Sequence, residues 1–226
     1  MSGIVVMGAV GGCGTTTLAC AVALAHAAHG QVPLIADVDP HCGGPSDLWC
    51  VPATRALDDL LGLGDELRPE HLEHLVHRHS GGVDVMAGCR SPAAAVAWAP
   101  PGPERYAAYV SSRTPWVADA GRADTGLAAA LVAVASLVVA LVPRSVHSAQ
   151  RAAGLLARTA GRNVLAVATD LPVGERISDR ALGRAIGTEV IGSVPRDDRN
   201  AARVAAGQAA RGKGIARAVA AVLEAP

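Results

Sequence analysis

The sequence predicts one α/β domain, residues 1–226, built on a doubly wound, mostly parallel sheet of about seven strands. Three observations predict it. Short, almost uninterrupted apolar runs alternate with longer Ala/Leu-rich stretches, the pattern of βαβ units whose strands are covered on both faces. Half of the 226 residues are hydrophobic, yet there is no Phe, with three Trp and two Tyr. The core is therefore built from Ala, Val, Leu and Ile, which suits helices packed closely on a sheet. Finally, a glycine-rich segment joins the first apolar run to the first helical stretch.

Taken in order, Ile4–Met7 reads as a buried strand that runs into glycine, and Thr16–Ala28 as a helix carrying Leu18, Val22 and Leu24. Val32–Ala36 is the second strand. Pro69–His79 is expected to be a helix, with proline at its start, Leu72, Leu75 and Val76 on its apolar face, and His71, His74, His77 and His79 on a solvated one. Strand Val83–Ala87 follows, then a loop at Ala95–Gly102, helix Glu104–Val110, strand Trp116–Ala118 and helix Thr125–Ala135. The second half alternates strand Leu137–Val142, helix Ser145–Thr159, strand Val164–Ala168, helix Ser178–Ile186 and strand Val190–Val194. Two helices, at about Asp198–Ala210 and Ile215–Leu223, close the chain and are expected to pack on the core. Leu127–Val142 carries no charge, but it is shorter than the ~20 residues of a membrane-spanning helix and divides into a helix and a strand.

Twenty basic and twenty acidic residues balance, which argues against a nucleic-acid binder driven by basic excess. Five cysteines (Cys13, Cys20, Cys42, Cys50 and Cys89) form no CxxC pair and are expected to be reduced thiols. The start, MSGIVVMGAVGG, has no charged n-region, so a signal peptide is not expected. These features together predict a cytoplasmic protein without a transmembrane segment.

In an open parallel sheet, ligands sit beyond the carboxyl ends of the strands, which here are the segments 8–17, 37–47, 119–124, 143–147, 169–176 and 195–199. The first, Gly8-Ala9-Val10-Gly11-Gly12-Cys13-Gly14-Thr15-Thr16-Thr17, places glycines where backbone must approach a ligand and then opens a helix whose N-terminal N–H groups and dipole favour an anion. The second carries Asp37-Val38-Asp39-Pro40, two carboxylates suited to holding water or a hydrated Mg²⁺. The strand ending Trp116-Val117-Ala118-Asp119 places one more carboxylate at a strand tip.

The glycine segment resembles the deviant Walker A loop, xKGGxGK[ST]T, of the MinD/ParA group of P-loop ATPases. Gly11, Gly12, Gly14, Thr16 and Thr17 match it; Ala9 replaces the leading glycine, Val10 the signature lysine and Thr15 the Walker lysine. Lys213 is the only lysine of the chain, so no shift of alignment supplies one. By this resemblance Gly11, Gly12, Cys13, Gly14, Thr15, Thr16 and Thr17 bind the phosphates of ATP or ADP. Pro195 and Asp197 lie at the adenine, Thr16, Asp37 and Asp119 serve Mg²⁺, and Asp39 positions the attacking water. The Asn usual at the end of one base-side strand is replaced by Thr169 and Asp170. Arg122 is a candidate for the missing positive charge, with a surface arginine as the plainer reading.

The stretch Asp39-Pro40-His41-Cys42-Gly43-Gly44-Pro45-Ser46-Asp47, with the lost lysine, is similar to the CpaE/TadZ-like branch of tight-adherence pilus and secretion systems. The chain begins at the first strand, so the receiver-like domain found ahead of many such proteins is not expected. The resemblance implies a nucleotide-binding factor with weak or absent hydrolysis that localises or assembles a pilus or secretion ATPase, forms a homodimer, and reaches a membrane only through a partner. An active ATPase completed in trans by a partner, and a scaffold that binds no nucleotide, stay open as alternatives. One charge-assisted hydrogen bond to phosphate is worth roughly 1.5–3 kcal/mol, about one to two decades of affinity, so binding survives the loss of lysine. Turnover is expected to suffer more, because losing one preorganised charge stabiliser costs about 10²–10³ in rate.

Overall fold

The computed structural model describes residues 3–41, 43–52, 54–122, 124–170 and 176–225. Cys42 and residues 171–175 of the segment after the sixth apolar run, both named above, lie outside the described residues. The strands β1 (Gly3–Gly8), β2 (Leu34–Asp37), β3 (Val76–Arg78), β4 (Asp84–Met86), β5 (Trp116–Asp119), β6 (Leu137–Pro143), β7 (Val164–Thr169) and β8 (Val190–Val194) form one sheet, ordered β3-β4-β2-β5-β1-β6-β7-β8. Every neighbouring pair is parallel except β3 and β4. From β1 the chain winds outward one way to β2 and β4, and the other way through β6, β7 and β8. The reversal falls beside β1, where an open α/β sheet leaves its ligand crevice.

The two-residue period of the strands divides the core between the faces. Ile4, Val6, Ile35, Val117 and Val139 point to the face covered by α1 (Thr15–Ala28), the end of α2 (Pro45–Leu48), α9 (Asp198–Ala205) and α10 (Ile215–Leu223). Val5, Met7, Leu34, Ala36 and Val138 point to the other, covered by α3 (Pro69–Glu73), α5 (Gly102–Ser112), α6 (Gly126–Val134) and α7 (Val146–Ala157). Leu182 and Ile186 of α8 (Asp179–Ile186) extend that second layer over Val142, Ala166 and Ala168. The few large aromatics are spent here: Trp116 and Tyr106 are fully buried. Ala218, Val219 and Val222 of α10 are buried as expected of a core helix, and among the described residues no helix is long and apolar enough to cross a membrane.

Three expectations change. Among the described residues the sheet has eight strands where about seven were expected, because the expected helix Pro69–His79 stops at Glu73 and Val76–Arg78 becomes an antiparallel edge strand. Tertiary partners override the helical spacing there. Arg78 pairs with Asp84 across the ladder at 3.2 Å, and the His79 ring stacks on Trp49, centroids 4.6 Å apart. His77 and His79 accordingly do not share a solvated helix face with His71 and His74. The expected helix Asp198–Ala210 ends at Ala205, before Gly207 at φ 69°. Short helical segments not read from the sequence occupy Pro45–Leu48, Leu57–Glu66 and Pro92–Val96, the last labelled α4.

Candidate functional site

The loop from β1 to α1 turns over the carboxyl end of the sheet. Gly14, at φ 98°, is the residue before α1, a conformation that a side chain disfavours. Helices α4, α6, α7, α8 and α9 each begin at a side chain (Ser91, Thr125, Ser145, Ser178 and Asp197) that accepts a first-turn backbone N–H. No side chain caps α1, nor α2, α5 or α10. The start of α1, at the positive end of its helix dipole, borders the cavities at this loop.

Two cavities meet at this loop. One, of about 560 Å³, is bounded by Val10–Gly12, Gly14–Thr17, Asp39, His41, Gly43, Gly121 and Arg122. The other, of about 300 Å³, is bounded by Gly12–Gly14, Thr17, Leu18, Leu141, Thr169, Asp170, Val194–Asp198, Ala201 and Ile215. Gly12, Gly14 and Thr17 line both, so the loop stands between a polar chamber and a largely apolar one.

The carboxylates lie behind the polar chamber. Asp37 and Asp119 end adjacent strands in the same register. Asp119 is fully buried; its Oδ2 accepts the Thr16 hydroxyl at 2.6 Å and its Oδ1 accepts the Gly121 N–H at 3.3 Å. Burial pushes its pKa up to about 6 against the pull of those two hydrogen bonds. Asp37 is raised further, to about 8, by burial and then by the neighbouring charge of Asp119. Two acids kept this far from water, side by side, are what a bound cation would relieve. Thr16, Asp119 and Asp37 supply the hard oxygen donors that Mg²⁺ takes together with water and phosphate oxygens. Among the described residues, no group of three His, Cys, Asp or Glu side chains is placed to hold a metal by itself.

Asp39 reaches the polar chamber, and its Oδ1 accepts the His41 N–H at 2.9 Å. Gly121, at φ 50°, lies so close that a methyl group there would overlap the Asp39 carboxylate. Asp37 instead opens to a neighbouring cavity of about 250 Å³ that shares Asp39 and Gly43. The structure thus brings Gly11, Gly12, Gly14, Thr15, Thr16, Thr17 and Asp39 around one chamber, with Asp119 touching Thr16 and Asp37 one strand away. Cys13 is buried, and burial pushes its thiol pKa up, so it fills space beneath the loop rather than presenting a reactive thiolate. Cys13, Cys20 and Cys50 are free thiols.

On the apolar side, Pro195 lines the chamber and is exposed, whereas Asp197 is committed to the protein. Its oxygens accept the Asn200 N–H and side-chain amide at 3.1 and 2.8 Å. Burial acts to raise its pKa, but these bonds outweigh it and hold the carboxyl below its ordinary range. Asp170 is likewise engaged, by Arg144 at 2.6 Å and Arg176 at 3.5 Å. The sequence reading missed the part of His41 in the polar chamber: its ring contacts Arg122, 81 residues away, and no local pattern signals that meeting.

Solved structures share this fold. The chain superposes on a ParA family ATPase from Chlorobium tepidum with a TM-score of 0.78 and 17% identity, over 96% of this chain and 95% of that one. It superposes on the septum site-determining protein MinD complexed with Mg-ADP from Pyrococcus horikoshii with a TM-score of 0.71 and 17% identity, over 97% and 93%. The MinC:MinD cell division complex of Aquifex aeolicus gives 0.73 and 17%, over 100% and 97%. No protein-family model matches the sequence, and no curated protein matches it. The architecture is that of the ParA/MinD nucleotide-binding proteins.

Proposed function

We propose that this protein is a MinD/ParA-like nucleotide-binding factor that holds Mg-ATP or Mg-ADP across its first glycine loop and hydrolyses ATP slowly or not at all. The observation that carries this reading is the uncapped start of α1, set between a polar chamber and an apolar one. Backbone N–H groups of residues 11–17 bind the phosphates, and the base lies against Leu18, Leu141, Pro195 and Ile215. Thr16 and Asp119 are the residues that would hold Mg²⁺, with Asp37 beside them; the ion would offset phosphate charge. Asp39 would orient a water. Thr15 brings no ammonium group to the phosphates, which is the basis for slow turnover.

Nucleotide then serves as a conformational ligand, favouring a homodimer or a complex with a protein partner through differential affinity. Its similarity to CpaE/TadZ-like proteins in the loop and in the Asp39–Asp47 stretch supports a pilus or secretion ATPase as that partner, with any membrane association following from it. Calorimetric titration of the purified chain with Mg-ATP, alongside a phosphate-release assay, tests the reading. Saturable binding with turnover about 10²–10³ below that of lysine-bearing P-loop enzymes is expected. Absence of binding at millimolar nucleotide refutes it, and rapid hydrolysis by the isolated protein refutes its weak-enzyme half.

A further inference from the structure

Arg122 follows the end of β5 by three residues, and it lines the polar chamber together with the glycine loop. Among the described residues it pairs with no carboxylate. Its hydrogen-bonding partner is the His41 imidazole, with Nη2 3.3 Å from Nδ1 and in closer contact with Nε2. His41 in turn lies 3.9 Å from Asp124 at the rim. The fixed formal charges on the chamber wall are Asp39 and Arg122. Without the guanidinium, an incoming polyphosphate would face a carboxylate and no fixed cation.

An imidazole offers a guanidinium one ring nitrogen at a time. A phosphate offers two charged oxygens in the geometry of the guanidinium fork, and such bidentate pairs are shorter and about twice as strong as neutral ones. Arg122 is thus held at the chamber wall by a partner that an anion would outcompete.

We propose that Arg122, presented from the loop after β5 and steadied by His41, supplies the cation that the glycine loop lacks and grips the terminal phosphates of the bound nucleotide. This rests on the nucleotide reading above and adds to it the residue that compensates for Thr15. It acts on affinity for the β- and γ-phosphates, leaving the base-side chamber untouched.

The test is calorimetric titration of the full chain with Mg-ATP and with AMP, for wild type, Arg122→Gln, Arg122→Lys and Arg122→Gln combined with Thr15→Lys, with a thermal melt of each. Arg122→Gln is expected to weaken Mg-ATP about 10- to 100-fold, to leave AMP unchanged, and to melt with wild type, since Arg122 is only half-buried. Arg122→Lys retains part of the affinity, and Thr15→Lys restores it in the double variant by returning a cation from the loop side. Equal binding of Mg-ATP by wild type and Arg122→Gln overturns the inference and leaves the nucleotide site standing. So does a parallel loss of ATP and AMP, which would mean a disturbed site rather than a lost phosphate contact. Failure of wild type to bind either nucleotide overturns the nucleotide reading, and this inference with it.

Discussion

The two chambers on either side of the glycine loop are built on opposite terms. On the polar side, groups are left without their best partners: the first-turn amides of α1 have no side-chain cap, Arg122 meets an imidazole instead of an anion, and Asp37 and Asp119 are buried acids with raised pKa values. On the apolar side nearly every polar group is engaged. Asp170 is held by Arg144 and Arg176, Asp197 by Asn200, and the walls are Leu18, Leu141, Val194 and Ile215. Thr169 Oγ1 is the exception, buried without a hydrogen-bond partner. On the proposed reading, the difference means that charge, supplied by phosphates and a cation, completes this molecule, while the base is received by shape. Buried polar groups without partners cost stability, and a ligand that satisfies them recovers it.

The largest consequence concerns which part of a nucleotide matters. Replacing ATP by adenosine removes several charge-assisted hydrogen bonds and is expected to lower affinity by about 10³ or more, whereas replacing ATP by GTP changes it by less than about tenfold. Competition calorimetry measures both; a strong preference between bases with little dependence on phosphate would reverse the contrast. Next, Thr16→Ala removes the hydroxyl that touches Asp119 and is expected to cut the gain in ATP affinity on adding Mg²⁺ by about tenfold. An undiminished gain in the variant would take Thr16 out of the metal site.

The buried acids give a pH signature. The folded pKa of Asp37 is raised to about 8, so the folded state binds a proton more tightly than the unfolded chain. Its stabilising contribution is full below the unfolded value near 4 and is lost as pH rises through about 8. Asp37→Asn should therefore raise the melting temperature of the ligand-free protein by a few degrees at pH 8 and have little effect at pH 4. A lower melting temperature at pH 8 would mean that the ionised carboxylate has a partner there. The smallest effect is expected on the other side, where Asp170→Asn should change nucleotide affinity by less than about threefold, because that carboxylate answers to Arg144 and not to a base. A larger loss would make Asp170 a reader of the base.

Much of the fold was legible because strands buried on both faces leave near-continuous apolar runs. Leu137–Val142, for instance, needs no partner to be recognised. The edge strand Val76–Arg78 was not legible, since HLEHLVHRHS carries helical spacing and its strand form is decided by Asp84 and Trp49, which lie elsewhere in sequence. The glycine loop and the three acids were legible because each follows a strand. What they do together was less so. The contact of Thr16 with Asp119 spans 103 residues and that of Arg122 with His41 spans 81, and the occupation of Asp170 depends on Arg144 and Arg176. Chemistry assembled from separate strand ends leaves residue types in the sequence but not their pairings.

The amide resonances of Gly11–Thr17, followed by two-dimensional ¹⁵N NMR as Mg-ATP is added, probe the loop itself. Large, saturable shifts of these N–H groups and of Arg122 are expected, reaching a plateau at one nucleotide per chain. If nucleotide binds while these amides stay unmoved, or if they do not respond at any concentration, the loop is a structural turn and the account of the site is wrong.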